Sequence, residues 1–339
     1  MQLINEYAID VVGSNLRVAT TINQEWGMWI DPIMTTFEAT TSDVAVAATT
    51  SSSATTTAVA ESSSRTENYV IILNMPGLNG TEQGVMQEIG RVQIGKPNET
   101  ITAVRFFDNV AYAVTFERKD PFYALDLSNP SAPYISGELE ISGFSEYLQP
   151  MNDQNSMLLA IGQETDNVGT VLGVQLTVFD VTTPANPVAA QRYVIERNPN
   201  SSSWTDMSYD FKSGRYNRQI QRLIIPMEIY DSKQTVWPNG TITTSGGDSF
   251  NGFMTFVVNA TTIERSCDVE HGNEYSDTLR PCYYCSWFPS RSMIFDGQLM
   301  TVKNHFVKST NMNTCVQNWS LEVVIPANDT DGGCCGIFY

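Results

Sequence analysis

Two turns bracketed by prolines constrain this chain more than anything else in it. They are Leu125-Asp126-Leu127-Ser128-Asn129-Pro130-Ser131-Ala132-Pro133 and Phe179-Asp180-Val181-Thr182-Thr183-Pro184-Ala185-Asn186-Pro187. Each ends an apolar, β-rich run and leads into another, Tyr134 to Ile141 and Val188 to Ile195. Proline has no N–H to give a sheet, so a Pro-x-x-Pro pair stops one strand and punctuates the next. The interval from Asp126 to Asp180 lies a little above the roughly 40–50 residues of a four-stranded propeller blade.

The rest of the chain fits the same template. Strand–turn–strand hairpins are expected with turns near Gly13, Asp108, Asn152, Gly214 and Asp296-Gly297. Asp-Gly between β-rich runs is the strongest short-range hairpin signal among them. Asn74, Asp180 and Asn259 are the counterparts of Asp126. The Gly/Ser/Thr-rich stretch 238–252 lengthens the last interval and reads as an inserted loop. No amphipathic helix is evident. The expected fold is all-β, a propeller-like and incomplete array of four-stranded antiparallel blades over segments 1–94, 95–142, 143–197, 204–270 and 286–327. As domains this gives blades over 1–265, and a last blade with a Cys-rich C-terminal region over 266–339. The Ser/Thr/Ala-rich segment 40–66 interrupts the first repeat, as an O-glycosylated loop or a plain flexible insertion. The chain is expected to start inside a repeat, and in a secreted protein Met1 need not be the initiator.

Residues 91–195 resemble the secreted β-propeller-domain family that is distantly related to WD-repeat proteins. The resemblance runs through Ile94-Gly95-Lys96-Pro97-Asn98-Glu99, Ala111-Tyr112-Ala113-Val114-Thr115-Phe116, Leu125-Asp126-Leu127-Ser128, Gly143-Phe144-Ser145-Glu146-Tyr147-Leu148-Gln149-Pro150 and Leu176-Thr177-Val178-Phe179-Asp180-Val181. It implies an extracytoplasmic propeller and brings no catalytic residues with it. Members of that family carry further propeller sequence before the position of Met1, and the tail from Cys267 departs from their pattern.

Charge and cysteine content set the compartment and exclude partners. The chain has 37 acidic against 19 basic residues, a formal charge of −18, which disfavours nucleic acid and anionic membrane surfaces. No stretch approaches the roughly 20 apolar residues of a membrane span. The 6 cysteines, Cys267, Cys282, Cys285, Cys315, Cys334 and Cys335, cluster late in the chain and suit disulfides in an oxidising compartment, with the pairing open. Glycosylation sequons stand at Asn79, Asn98, Asn200, Asn239, Asn259, Asn318 and Asn328. Asn79, Asn98, Asn200 and Asn239 lie in turn-like segments where a glycan could face water.

Several motifs could carry chemistry, each with a plainer explanation. Cys267, His271, Cys282 and Cys285 have zinc-ligand spacing, against which stands a disulfide set. Gly247-Asp248-Ser249 with Asp268-Val269-Glu270-His271 superficially matches an esterase pair, but such a nucleophile needs its base within hydrogen-bond reach. Cys282-x-x-Cys285 lacks a thioredoxin-like setting. Asp329-Thr330-Asp331-Gly332-Gly333 lacks the rest of a calcium-loop ligand set. Tyr283, Tyr284, Trp287 and Phe288 read as a small stapled core or a contact surface, and Glu117-Arg118-Lys119-Asp120 as a solvated charge cluster. The expectation is therefore a non-enzymatic extracellular structural glycoprotein, without cofactor or metal, that self-associates or joins another extracellular subunit in a cell-surface coat, matrix or filament. The alternative is a secreted glycan- or protein-binding module, with an esterase-like hydrolase a remote third.

Overall fold

A computed structural model describes residues 5–23, 66–76, 85–116, 120–195, 201–237, 239–247, 249–271, 289–303 and 306–323. Five antiparallel sheets follow one another along the sequence, as the repeat implied. Blade 1 holds β1 (Ile9–Val12), β2 (Asn15–Asn23), β3 (Thr66–Asn74) and β4 (Gln87–Ile94). Blade 2 holds β5 (Thr100–Phe107), β6 (Val110–Phe116), β7 (Asp120–Asp126) and β8 (Tyr134–Ile141). Blade 3 holds β9 (Phe144–Pro150), β10 (Met157–Thr165), β11 (Val171–Asp180) and β12 (Val188–Val194). Blade 4 holds β13 (Ser201–Trp204), β14 (Arg215–Asn217), β15 (Arg222–Val236), β16 (Ile242–Gly246), β17 (Phe250–Val258) and β18 (Ile263–Glu270). Blade 5 holds β19 (Arg291–Phe295), β20 (Gln298–Lys303), β21 (Phe306–Asn311) and β22 (Gln317–Glu322). Among the described residues the only helical pieces are short 3-10 turns at Glu6–Ala8, Asp206–Ser208 and Phe211–Ser213. Strands β2 and β3 pair from Asn15↔Asn74 to Asn23↔Thr66, so the Ser/Thr-rich segment is inserted between neighbouring strands of one blade. Residues 40–65 themselves, with their glycosylated-loop reading, lie outside the described residues.

The recurring Asx residues do the same work in successive blades. Asp126, Asp180, Asn259 and Asn311 each accept, through Oδ1, the backbone N–H two residues on, which turns the chain after the third long strand. The N–H of the residue after the Asx then donates to the first hairpin, which lies at the same end of the blade. Leu127 N–H donates to Asn109 O, Val181 N–H to Ser156 O and Met312 N–H to Gly297 O. A β-bulge sits just before these turns, at Leu73, Leu125, Phe179 and Thr310, and bends the outer strand. Asp296 and Gly297 both have positive φ, as the two central residues of a type I′ hairpin require.

Middle blades are buried on both faces, so their strands read as continuous apolar runs rather than alternations. In β6, Ala111 and Ala113 join the core against blade 1, while Tyr112 and Val114 join the core against blade 3. A third cluster packs Leu159, Ile161 and Leu176 of blade 3 on Leu223, Ile225 and Phe256 of blade 4. The fourth and smallest joins Ile224, Phe253 and Val269 of blade 4 to Leu299 and Met312 of blade 5. Arginines tie the blades as well: Arg17 bonds Asp108 O, Arg105 bonds Leu148 O, and Arg218 bonds Pro150 O. The Arg105 guanidinium also lies 3.3 Å from the Tyr7 ring centroid, drawing the N-terminal turn onto blades 2 and 3.

Blade 4 departs from the sequence expectation in its strands and turns. Its inner strand is broken because Pro226 sits inside β15 and has no N–H to offer. The ladder accordingly skips from β14, opposite Arg222–Ile224, to β13, opposite Glu228–Asp231, and the Thr205 hydroxyl takes the orphaned Pro226 carbonyl at 2.7 Å. Gly214 is therefore not the hairpin turn. It follows the second 3-10 turn, where any Cβ would overlap the Met207 side chain, and the hairpin turns instead over residues 218–221 with Gln221 at φ 51°. The stretch 238–252 is not an irregular loop either: β15 runs on to Val236 and pairs with β16 as a projecting hairpin. Strand β18 continues to Glu270, across the domain boundary drawn at 265, because its pairing with β17 persists to Gly252↔Glu270.

Candidate assembly surface

Of the sequence-selected cysteines, the described ones are bonded to each other. Cys267 of β18 and Cys315, in the turn between β21 and β22, form a disulfide, which removes Cys267 from any zinc set. Cys282, Cys285, Cys334 and Cys335 lie outside the described residues, as do Asn79, Asn200, Asn328, the aromatics Tyr283 to Phe288, residues 117–119 and Asp329 to Gly333. His271 is buried between blades 4 and 5, its Nε2 2.8 Å from Thr301 Oγ1 and its ring against Phe253. Burial, with Lys308 and Lys303 nearby, pushes its pKa down to about 4. Ser249 is exposed, whereas His271 is buried with its Nε2 on Thr301. Asn98 and Asn239 occupy exposed turns. Asn259 Oδ1 caps its own turn, and Asn318 Nδ2 donates to Gln298. Among the described residues no cluster of His, Cys, Asp and Glu is arranged to hold a metal, and no helix is long and apolar enough to cross a membrane.

The surface with the most unusual chemistry is the side of blade 5 that faces away from blade 4. Residues directly opposite across antiparallel strands share a face. The register places Met293, Met300, Ser309 and Trp319 in one such row, and Val302, Val307 and Leu321 in the next. Phe295 extends the set along β19. The opposite parity, Ile294 and Leu299, packs into the core shared with blade 4. Strand β20 thus has the two-sided apolar pattern of a middle blade, yet among the described residues nothing packs over one side: Phe295 is 68% exposed, Leu321 57% and Trp319 44%. Sequence inspection missed this surface, although Leu299-Met300-Thr301-Val302 followed by Trp319 and Leu321 carried the signal.

A family model described as Beta propeller domain matches residues 2–315. The chain belongs to the beta propeller domain family. This beta propeller domain is 40% identical over 111 residues to an uncharacterized protein of Archaeoglobus fulgidus, an overlap of 33% of the chain and 17% of that relative. It is 28% identical over 225 residues to an uncharacterized protein of Methanocaldococcus jannaschii, covering 66% of the chain and 27% of the relative. The chain therefore matches only 17% and 27% of the length of these relatives. Among solved structures, Sqt1 from Chaetomium thermophilum bound to the N-terminus of ribosomal protein L10 is 11% identical, with TM-score 0.33 over 76% of this chain and 68% of that one. A putative dipeptidyl aminopeptidase IV from Bacteroides ovatus is 10% identical, with TM-score 0.40 over 91% and 38%. At these scores neither supports a functional argument for the beta propeller domain.

Proposed function

We propose that this beta propeller domain is a non-enzymatic structural glycoprotein of the cell surface or extracellular space, a subunit of a coat, matrix or filament whose blade array is continued by a second copy. The observation that carries this reading is the uncovered blade-packing face of blade 5. Contiguous exposed apolar patches of this kind mark interaction sites. The occupant best matched to it is another blade edge, because four successive blade junctions in the same chain already use that packing mode. Blade 1 supplies the complementary end, with Ile9, Val11 and Val12 exposed on β1. Contact of blade 5 with blade 1 of the next copy is heterologous, and it builds a filament wherever its rotation does not close a ring. The Cys267–Cys315 disulfide supports an oxidising compartment, and the exposed turns at Asn98 and Asn239 supply places for glycans. Electron microscopy of the protein isolated from its native source tests the proposal, with enzymatic deglycosylation of the same preparation read by mass. Ordered filaments or sheets of a glycosylated chain are expected; dispersed single particles at high concentration would overturn the assembly reading.

A further inference from the structure

The break that Pro226 imposes on blade 4 does more than interrupt a ladder. It ends β13 at Trp204, and the following turn brings the Tyr209 ring beside the Trp204 ring, with centroids 6.3 Å apart and planes 25° from parallel. Opposite β13, the register pairs Trp204 with Glu228 and Ser202 with Tyr230, so Trp204, Glu228 and Tyr230 share one face of the sheet. Strand β15 is 15 residues long and β20 of the neighbouring blade only 6, and Trp204, Tyr209 and Tyr230 stay exposed by 43%, 55% and 55%. Three exposed aromatic side chains on one junction are costly for solubility and are the usual material of a recognition site.

Beneath the rings lies a closed polar circuit. Tyr209 OH donates to Asp206 Oδ1 at 3.1 Å and Tyr230 OH to Glu228 Oε2 at 2.9 Å. Lys303, buried and reaching in from blade 5, sits 3.4 Å from Asp206 Oδ2 and 3.2 Å from Glu228 Oε1. The ammonium thus divides itself between both carboxylates while two hydroxyls satisfy their other oxygens. One ammonium faces two carboxylates, so the circuit keeps a net negative charge that repels an anion, and its carboxylate oxygens are already engaged by Lys303, Ser290 and the two tyrosine hydroxyls. What the site offers is flat ring surface, bordered by oxygens that can accept further hydrogen bonds through their remaining lone pairs.

We infer that this junction is a binding site for a neutral, hydroxyl-rich glycan, whose C–H face stacks on Trp204 and Tyr209 and whose hydroxyls donate to the partly exposed carboxylate of Glu228. The site is separate from the far face of blade 5, and its occupancy is independent of self-assembly. Its test is migration of the full chain through native gels cast with soluble neutral polysaccharides (starch, laminarin, galactomannan and xyloglucan), with alginate and a cationic dextran as charged comparisons. At least one neutral polymer is expected to retard the protein. Trp204→Ala and Tyr209→Ala should each weaken that retention about tenfold, the scale of losing one aromatic anchor, while Trp237→Ala on the projecting hairpin leaves it unchanged. Trp204→Phe keeps a ring and should restore most of the retention, which separates a lost contact from a lost fold. Absence of retardation in every neutral polymer would overturn the inference, as would retention that survives Trp204→Ala and Tyr209→Ala together. Trp204-dependent retention by the cationic polymer alone would also overturn it, in favour of an aromatic cage for cations.

Discussion

Gly90 and Gly137 show how single residues set the spacing of blades. A Cβ on Gly90 of β4 would overlap the carbonyl oxygen of Pro130 and come within 3.0 Å of Pro133 Cδ. A Cβ on Gly137 of β8 would overlap Pro184 O and stand 2.9 Å from Pro187 Cδ. The two Pro-x-x-Pro turns, so visible in the sequence, are thus clips that press each blade's turn onto the outer strand of the blade before it. Backbone cannot yield to a methyl group as a flexible side chain can, so Gly90→Ala and Gly137→Ala should each cost about 1–3 kcal/mol in denaturant unfolding. Gly13→Ala meets no atom within 4 Å and should lose only about 1 kcal/mol, from its φ of +61°. Equal losses at all three positions would contradict the clip. His271 gives a residue-scale pH effect. Its native pKa of about 4 lies below that of an unfolded imidazole, so as pH falls from about 6.5 the unfolded chain takes up a proton that the native chain refuses. Stability from this group is therefore full above pH 6.5 and lost progressively toward pH 4. Between pH 7 and 5 the wild type should lose about 2 kcal/mol more than His271→Gln, and matching pH profiles for the two proteins would refute the assignment.

At the scale of elements, the junction between blades 4 and 5 is held differently from the others. Its apolar cluster is the smallest of the four, and, like the junction of blades 3 and 4, it has no Pro-x-x-Pro clip. In the place of that clip stands the disulfide, which joins the same pair of elements, the outer strand of one blade and the late turn of the next. Lys308 Nζ on Glu270 O and the Arg291–Asp210 ion pair add polar links. With a sequence separation of 48 residues, losing the bridge through Cys315→Ser should cost about 2–4 kcal/mol and lower the thermal midpoint. Identical unfolding of reduced and oxidised protein would mean that the polar links suffice. The cysteine count pointed to disulfides, but fifteen pairings of six cysteines left this bridge unspecified. The broken strand of blade 4 was legible in principle, since Ile224-Ile225-Pro226-Met227 places a proline inside an apolar run that otherwise reads as a central strand.

For the whole molecule, the proposed assembly places the meeting of copies on the far face of blade 5. Leu321→Glu or Trp319→Arg places a charge on that face without touching the core against blade 4, so folding should persist while assembly is lost. Light scattering and microscopy of each variant beside the wild type read this directly; assemblies that survive both substitutions would move the interface elsewhere. The sequence by itself determined the all-β class, the blade repeat and the positions of its Asx turns, because these depend on strand period, proline and short-range hydrogen bonds between residues close in the chain. Asp126, Asp180 and Asn259 announce their turns locally, and Asp296-Gly297 its hairpin. Tertiary structure decided what each face touches. Leu299 and Met300 are neighbours of similar chemistry, and only the stacking of sheets buries one against blade 4 and leaves the other on the open side. The same is true of Asp206, Glu228 and Lys303, which come from separate parts of the chain. Only the break at Pro226 and the docking of blade 5 bring them into one circuit, and contacts between distant residues leave no trace in local periodicity.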